Sequence, residues 1–152
     1  MVKVEYEINS NTYALIAEQE GTSLILEKGQ KSLCNQTTME ILNNSCEYYG
    51  SSLEGRLKGA KNALGSCYKI PIIIEPDHDI VFFPTTSCRY EKCSWLSLNN
   101  IKTYYSTKFG TMVEFLDGQT VELEISKESL ETPILRASKL LLITKNRKKI
   151  LK

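Results

Sequence analysis

The sequence has one histidine and one tryptophan in 152 residues, and it lacks long apolar runs and the common nucleotide-binding loops. Without about 18 consecutive apolar residues, no helix is expected to span a bilayer. The N-terminus has no hydrophobic signal segment, so we expect a cytoplasmic protein with no membrane partner. The single histidine, His78, and the absence of nucleophile-elbow and phosphate-loop motifs disfavour an enzyme. We also expect no cofactor.

The five cysteines are an odd number, and cytosolic thiols are normally reduced, so we interpret them as free thiols. Cys88 and Cys93 could supply two thiolates to zinc, although their spacing is loose. Cys67, Cys46 or His78 would have to provide the remaining ligands of the tetrahedral site. A second tight pair of cysteines is missing. We therefore favour buried, inert cysteines over a zinc site and expect no metal.

Length and composition favour one domain, because 152 residues and an apolar content of 41% suit a single core. Apolar periodicity predicts an α+β fold, with a mostly antiparallel β-sheet, two short central helices and a C-terminal helix packed on it. The predicted domain covers residues 1–144, and residues 145–152 form a basic tail. Trp95 is expected in the core, although a base-stacking role is the alternative. The predicted strands are 2–8, 12–17, 22–27, 69–75, 79–83, 94–98, 101–107, 111–116 and 120–125.

Helix boundaries follow from capping residues. Thr38 is the predicted cap of the first helix and Gly50 ends it, whereas Ser51 or Ser52 caps the second, which Gly65 closes. The third is expected to begin at Thr132 and Pro133, as an N-cap followed by proline at the first helical position, and to run to residue 144.

Charge is distributed unevenly along the chain, although the net charge is only +1. Residues 1–55 carry 3 basic and 8 acidic side chains, 56–112 carry 8 and 4, and 113–152 carry 8 and 6. Seven basic residues and no acidic one lie between Arg136 and Lys152. This asymmetry favours an anionic partner, with a solvated basic terminus as the alternative.

The second predicted helix carries the most informative pattern. Its stripe of Leu53, Leu57, Ala60 and Leu64 should be buried, which places Gly55, Lys58, Gly59 and Asn62 on the outer face. Glycine inside a helix costs about 1 kcal/mol relative to alanine, so this pair suggests close approach of another backbone. A sugar-phosphate chain, a helix of a second subunit and a bent loop without a ligand all remain open.

Three stretches then resemble the bacterial competence transcription factor family, ComK. They are SCEYYGSSLEGRLKGAKNALG, KIPIIIEPDHDIVFFPT and the Cys93-Ser94-Trp95 segment, within residues 40–125. The most specific parts run from Gly50 to Gly59, from Pro71 to Pro76 and from Phe82 to Thr85. The resemblance implies an activator of genes for DNA uptake and transformation that binds A/T-rich promoter boxes through the minor groove and self-associates. Implied partners are double-stranded DNA, RNA polymerase, a second copy of the chain in a homodimer or higher oligomer, and a proteolytic adaptor.

A narrow A/T-rich minor groove is strongly negative and favours inserted arginine, so Arg56 is the predicted insertion residue. The other predicted contacts neutralise phosphates. The predicted DNA-binding residues are Arg56, Lys58, Lys61, Lys69, Arg89, Lys92, Arg147 and Lys148, with Gly55 and Gly59 permitting close approach. The chain ends earlier than family members are expected to, which motivates an alternative: a non-enzymatic interaction regulator that forms mixed oligomers with a longer competence activator.

Overall fold

The computed structural model describes residues 2–65, 68–86 and 93–150. Within these ranges the chain forms ten strands and three helices, together with a short 3-10 turn at Leu98–Asn100. The helices are α1 (Thr38–Tyr48), α2 (Leu53–Leu64) and α3 (Lys127–Ile150). The strands are β1 (Val2–Lys3), β2 (Thr12–Ala17), β3 (Ser23–Glu27), β4 (Gln30–Cys34), β5 (Ile72–Glu75), β6 (Ile80–Pro84), β7 (Trp95–Ser97), β8 (Ile101–Ser106), β9 (Thr111–Phe115) and β10 (Thr120–Leu123).

Seven of these strands form one sheet in the order β1-β4-β3-β2-β7-β6-β5, and β10-β9-β8 form a second. All neighbouring strands are antiparallel except β1 and β4. The α+β prediction with a mostly antiparallel sheet is therefore confirmed. The Asp117-Gly118 turn joins β9 to β10, as expected for a hairpin.

Two strand predictions at the N-terminus differ from the structure. The strand predicted over 2–8 is only Val2–Lys3, because the following segment turns inward and the Ile8 N–H donates to Ser45 Oγ at 2.9 Å. The strand β4 was not predicted. Its sequence, QKSLC, is mostly polar, and it becomes a strand by pairing with β3 along its whole length.

The large sheet is covered on both faces. One face, which carries Trp95, packs against Ile41 and Leu42 of α1. The opposite face packs against α3 and the second sheet, where Phe83 and Phe115 lie in one core. Trp95 is fully buried, so its predicted place in the core is confirmed.

Helix α2 lies beside β5, the last strand of the large sheet, and contacts both clusters. Its leucine Leu57 packs against each of them. An uncovered edge strand exposes unpaired backbone groups, so α2 shields this end of the sheet. This position leaves the opposite face of α2 in solvent.

Helix α3 begins earlier than predicted. Its start is Lys127, and Pro133 lies inside the helix, so the predicted N-cap at Thr132 is wrong. The true start is set by Ser126, whose hydroxyl accepts from the Ser129 N–H at 3.1 Å. Proline inside a helix removes one hydrogen bond, but the buried side chains of Leu130, Ala137 and Leu140 pack on the core and offset that loss. Residues 145–150, predicted as a tail, continue α3.

Candidate nucleic-acid interface

The ends of α2 are fixed by local hydrogen bonds. Ser52 is the N-cap, and its hydroxyl accepts from the Gly55 N–H at 3.0 Å. Gly65 ends the helix with φ of +66°, a left-handed conformation that suits glycine, and its N–H donates to the Lys61 carbonyl. Both boundaries agree with those expected from the sequence.

The faces of α2 also follow the predicted pattern. Ala60 is buried, and Leu53, Leu57 and Leu64 are half-buried against the sheet. The remaining face is exposed, including both internal glycines. α2 is therefore a continuous helix, so the alternative of a bent loop is wrong for this segment. Its exposed residues include the four predicted for the outer face: Gly55, Lys58, Gly59 and Asn62.

A groove of about 220 Å³ runs between α2 and the C-terminal part of α3. It brings together side chains that are far apart in the sequence: Arg56 from α2, with Arg147 and Lys148 from α3. The residues that line it are Gly55, Arg56, Gly59, Ala60, Ala63, Ile73, Leu140, Thr144, Arg147 and Lys148. The groove thus has an apolar floor and a basic rim.

Arg56 is half-buried, and its Nε has no hydrogen-bond partner among the described residues, although it is shielded from solvent. No carboxylate in the described part of the chain forms an ion pair with it. Burial raises the pKa of the neighbouring Cys46 thiol to about 11, and the Arg56 charge only partly opposes this effect. Cys46 is therefore a neutral thiol near pH 7, and it leaves the guanidinium charge uncompensated.

The other predicted cations of α2 lie outside the groove. Lys58 forms an i,i+4 ion pair with Glu54 at 3.1 Å, and both side chains are highly exposed. An exposed pair of this kind is weak, so phosphate can compete for Lys58. Lys61 is exposed on the same helix, and Lys69 lies before β5, with its Nζ 6.0 Å from the centre of the Tyr68 ring. Arg89 and Lys92 lie outside the described residues.

An acidic turn between β5 and β6 holds the end of α3. Lys148 Nζ lies 2.8 Å from Asp77 Oδ1, and Lys145 Nζ lies 2.9 Å from Asp79 Oδ2. The hydrogen bond and charge of Lys148 lower the pKa of Asp77 below its usual value. This contact and the role of Lys145 were not predicted from the sequence. The only local signal was two aspartates in one turn, because their pairing with α3 depends on tertiary packing.

Chemistry other than ion pairing is limited in the described ranges. No three His, Cys, Asp or Glu side chains there are grouped so as to hold a metal ion. Cys34 and Cys46 are buried free thiols and Cys93 is buried, whereas Cys67 and Cys88 lie outside these ranges. His78 Nδ1 forms a hydrogen bond with Glu75 Oε2 at the acidic turn. Among the described helices, none combines the length and apolarity needed to cross a bilayer.

The fold and the groove define an α+β protein with a basic surface built from two helices. The chain belongs to the ComK family: the model of that family, described as ComK protein, matches residues 3–149. It is 35% identical to the competence transcription factor of Bacillus subtilis (strain 168) over 137 residues. This matched region covers 88% of this chain and 71% of that protein. The chain is therefore a regulator of competence transcription. No solved structure matches it.

Proposed function

We propose that this chain is a sequence-selective DNA-binding activator of competence genes, and that it binds A/T-rich promoter boxes mainly through the minor groove. Family membership supports the regulatory role. The observation that carries the DNA-binding part is the α2–α3 groove, where Arg56, Arg147 and Lys148 share one rim. In this proposal the protein acts in the cytoplasm, where a bacterial chromosome is accessible.

Arg56 is the residue that enters the minor groove. Its guanidinium is always charged and has no carboxylate partner among the described residues, so no internal ion pair has to be broken before it meets DNA. Narrow A/T-rich minor grooves concentrate negative potential, which favours an inserted arginine without a detailed base code. This accounts for selectivity between A/T-rich and G·C-rich sites.

The lysines and Arg147 neutralise phosphates. Lys58 and Lys61 are exposed on α2, and Lys69 precedes β5. Arg147 and Lys148 approach from α3, and Arg89 and Lys92 belong to the same proposed set. Each phosphate contact should steepen the dependence of affinity on salt by about one unit.

Further partners complete the proposal. A homodimer or higher oligomer would place two basic surfaces on one side of the duplex, one helical turn apart or a multiple of it. Activation then occurs by recruitment of RNA polymerase, and a proteolytic adaptor limits the amount of protein. The direct test of the central claim is DNA binding by the pure protein.

The test is a mobility-shift titration on A/T-rich and G·C-rich duplexes at several salt concentrations. Arg56→Ala should weaken binding to the A/T-rich duplex by about 1–3 kcal/mol and reduce the preference for it, because the minor-groove contact is lost. Lys148→Ala should weaken binding modestly and equally on both duplexes, as expected for a phosphate contact.

The control is Lys31→Ala, which removes one exposed charge from β4. This strand lies near the edge of the large sheet opposite to β5 and α2. This variant should bind as the wild type does. No binding by the wild type at low salt would contradict the proposed function. Equal losses for Arg56→Ala on the two duplexes would contradict the assigned role of Arg56.

A further inference from the structure

Gly59 has no structural reason to be glycine. It lies inside α2, its φ is not positive, and a Cβ built at this position meets no atom of the described residues within 4 Å. Alanine is a much better helix former than glycine, so α2 is less stable with glycine here. The neighbouring Gly55 differs, because its Cβ would lie 3.0 Å from Ser52 Oγ, the capping hydroxyl. Of the two glycines, only Gly59 leaves open space that the fold does not use.

That space belongs to the α2–α3 groove. Gly59 forms part of its wall, and the floor is carbon surface from Ala60, Ala63 and Leu140. Such a surface accepts an occupant that is partly apolar. The absence of a side chain at Gly59 lets that occupant approach the helix backbone closely.

The rim of the groove selects for negative charge. Arg56, Arg147 and Lys148 line it, and Arg56 Nε is shielded from solvent without a hydrogen-bond partner in the described part of the chain. Although Nε is covered, Arg56 as a whole is only half-buried, so its positive charge favours an anionic occupant. The occupant that fits both observations alternates carbon surface with anionic groups at short intervals.

We propose that the α2–α3 groove receives the sugar-phosphate backbone of one DNA strand. The deoxyribose lies against Gly59 and the apolar floor, the phosphates beside it meet Arg147 and Lys148 on α3, and Arg56 on α2 extends past the sugar into the minor groove. This inference rests on the proposed DNA-binding function and gives it a specific site. It assigns Gly59 the role of a close-contact position, because a methyl group there occupies space that the sugar needs.

The test compares Gly59→Ala with Asn62→Ala. Asn62 is exposed on the same helix and does not line the groove, so its replacement improves helix propensity without filling the site. Both variants should be at least as stable to urea as the wild type. Gly59→Ala should lose about ten-fold or more in affinity for an A/T-rich duplex, because a tight contact tolerates an added methyl group poorly. Asn62→Ala should retain wild-type affinity.

The outcomes separate this inference from the function on which it rests. If wild-type protein binds DNA and Gly59→Ala binds equally well, the groove is not the backbone site, and the proposed function stands. If Asn62→Ala loses as much affinity as Gly59→Ala, the effect belongs to the helix and the groove inference is wrong. If the wild type does not bind a duplex at low salt, the proposed function itself fails.

Discussion

Gly65 ends α2 in the left-handed region, with φ of +66°, and no atom in the described part of the chain would contact a Cβ there. Any cost of replacing it therefore comes from backbone conformation rather than from crowding. Left-handed backbone costs a residue with a Cβ about 1–2 kcal/mol. We expect Gly65→Ala to lower the free energy of unfolding by about this amount, measured by urea denaturation.

Gly59→Ala is the matched variant for stability, since it makes the same replacement inside the same helix. Here φ is not positive, so alanine should raise the free energy of unfolding by up to about 1 kcal/mol. Opposite signs are expected for the two variants. A loss of stability in both would show that space around α2 is tighter than the structure indicates.

At the scale of single residues, the sequence was most informative where an interaction is local. The serine pair Ser51-Ser52 and Gly65 predicted both ends of α2, of which Ser52 is the N-cap, because a capping hydroxyl and a left-handed glycine act within one turn of the helix. The outward position of Gly55 and Gly59 followed from helical periodicity alone. Their apposition to Arg147 was not predictable, because it depends on how α3 packs.

Among the elements, α3 is the one whose start was misjudged. Thr132-Pro133 is a good local start signal, but Ser126 begins the helix earlier and Pro133 is buried inside it. Tertiary packing of Leu130 and Ala137 decides this, and periodicity over a few residues cannot show it. Similarly, the polar strand β4 is specified by its pairing with β3 rather than by its own sequence.

The contact between the acidic turn and α3 gives a prediction at the same scale. Asp77 and Asp79 occupy Lys148 and Lys145, which phosphate would otherwise meet directly. The double variant Asp77→Asn with Asp79→Asn should bind duplex DNA about two- to ten-fold more tightly, because exposed pairs each contribute little. Titrations by fluorescence anisotropy at low salt measure this change.

The control for this prediction has the same net charge as the aspartate double variant. Glu18→Gln with Glu20→Gln also removes two negative charges, but these exposed residues lie in the turn between β2 and β3 and form no ion pair among the described residues. It should increase affinity less than the aspartate double variant. Equal gains would mean that the total charge, rather than the local competition for the two lysines, sets the affinity.

Across the whole molecule, the two sheets are joined by hydrogen bonds between two turns. The Gly29 N–H, between β3 and β4, donates to Asp117 Oδ2 at 2.8 Å. Gln119 Nε2, beside Asp117, donates to the Glu27 carbonyl at 2.6 Å. These contacts are far apart in the chain, so the sequence identified the hairpin turn but not its partner. The Gly29 N–H lowers the pKa of Asp117 below its usual value, because it stabilises the ionised carboxylate.

The lowered pKa of Asp117 determines how the stability of the fold changes with pH. A carboxyl whose pKa is lower in the folded state contributes stability above its unfolded pKa of 3.8, and loses it as pH falls through the folded value. Asp77 behaves in the same way through Lys148. We therefore expect the free energy of unfolding to fall below about pH 4, with urea midpoints measured from pH 7 to pH 2.5.

Asp117→Asn isolates the contribution of the contact between the sheets. Its amide oxygen can still accept from the Gly29 N–H, but the charge is lost and Nδ2 replaces the oxygen that accepts from the Gln119 N–H, so the carboxylate's contribution is lost at neutral pH. The variant should be less stable than the wild type at pH 7, and the difference should shrink as acid protonates Asp117 in the wild type. Asp77→Asn should show the same convergence through its own ion pair. A stability difference for Asp117→Asn that stays constant down to pH 2.5 would mean that the carboxylate charge does not contribute to joining the two sheets.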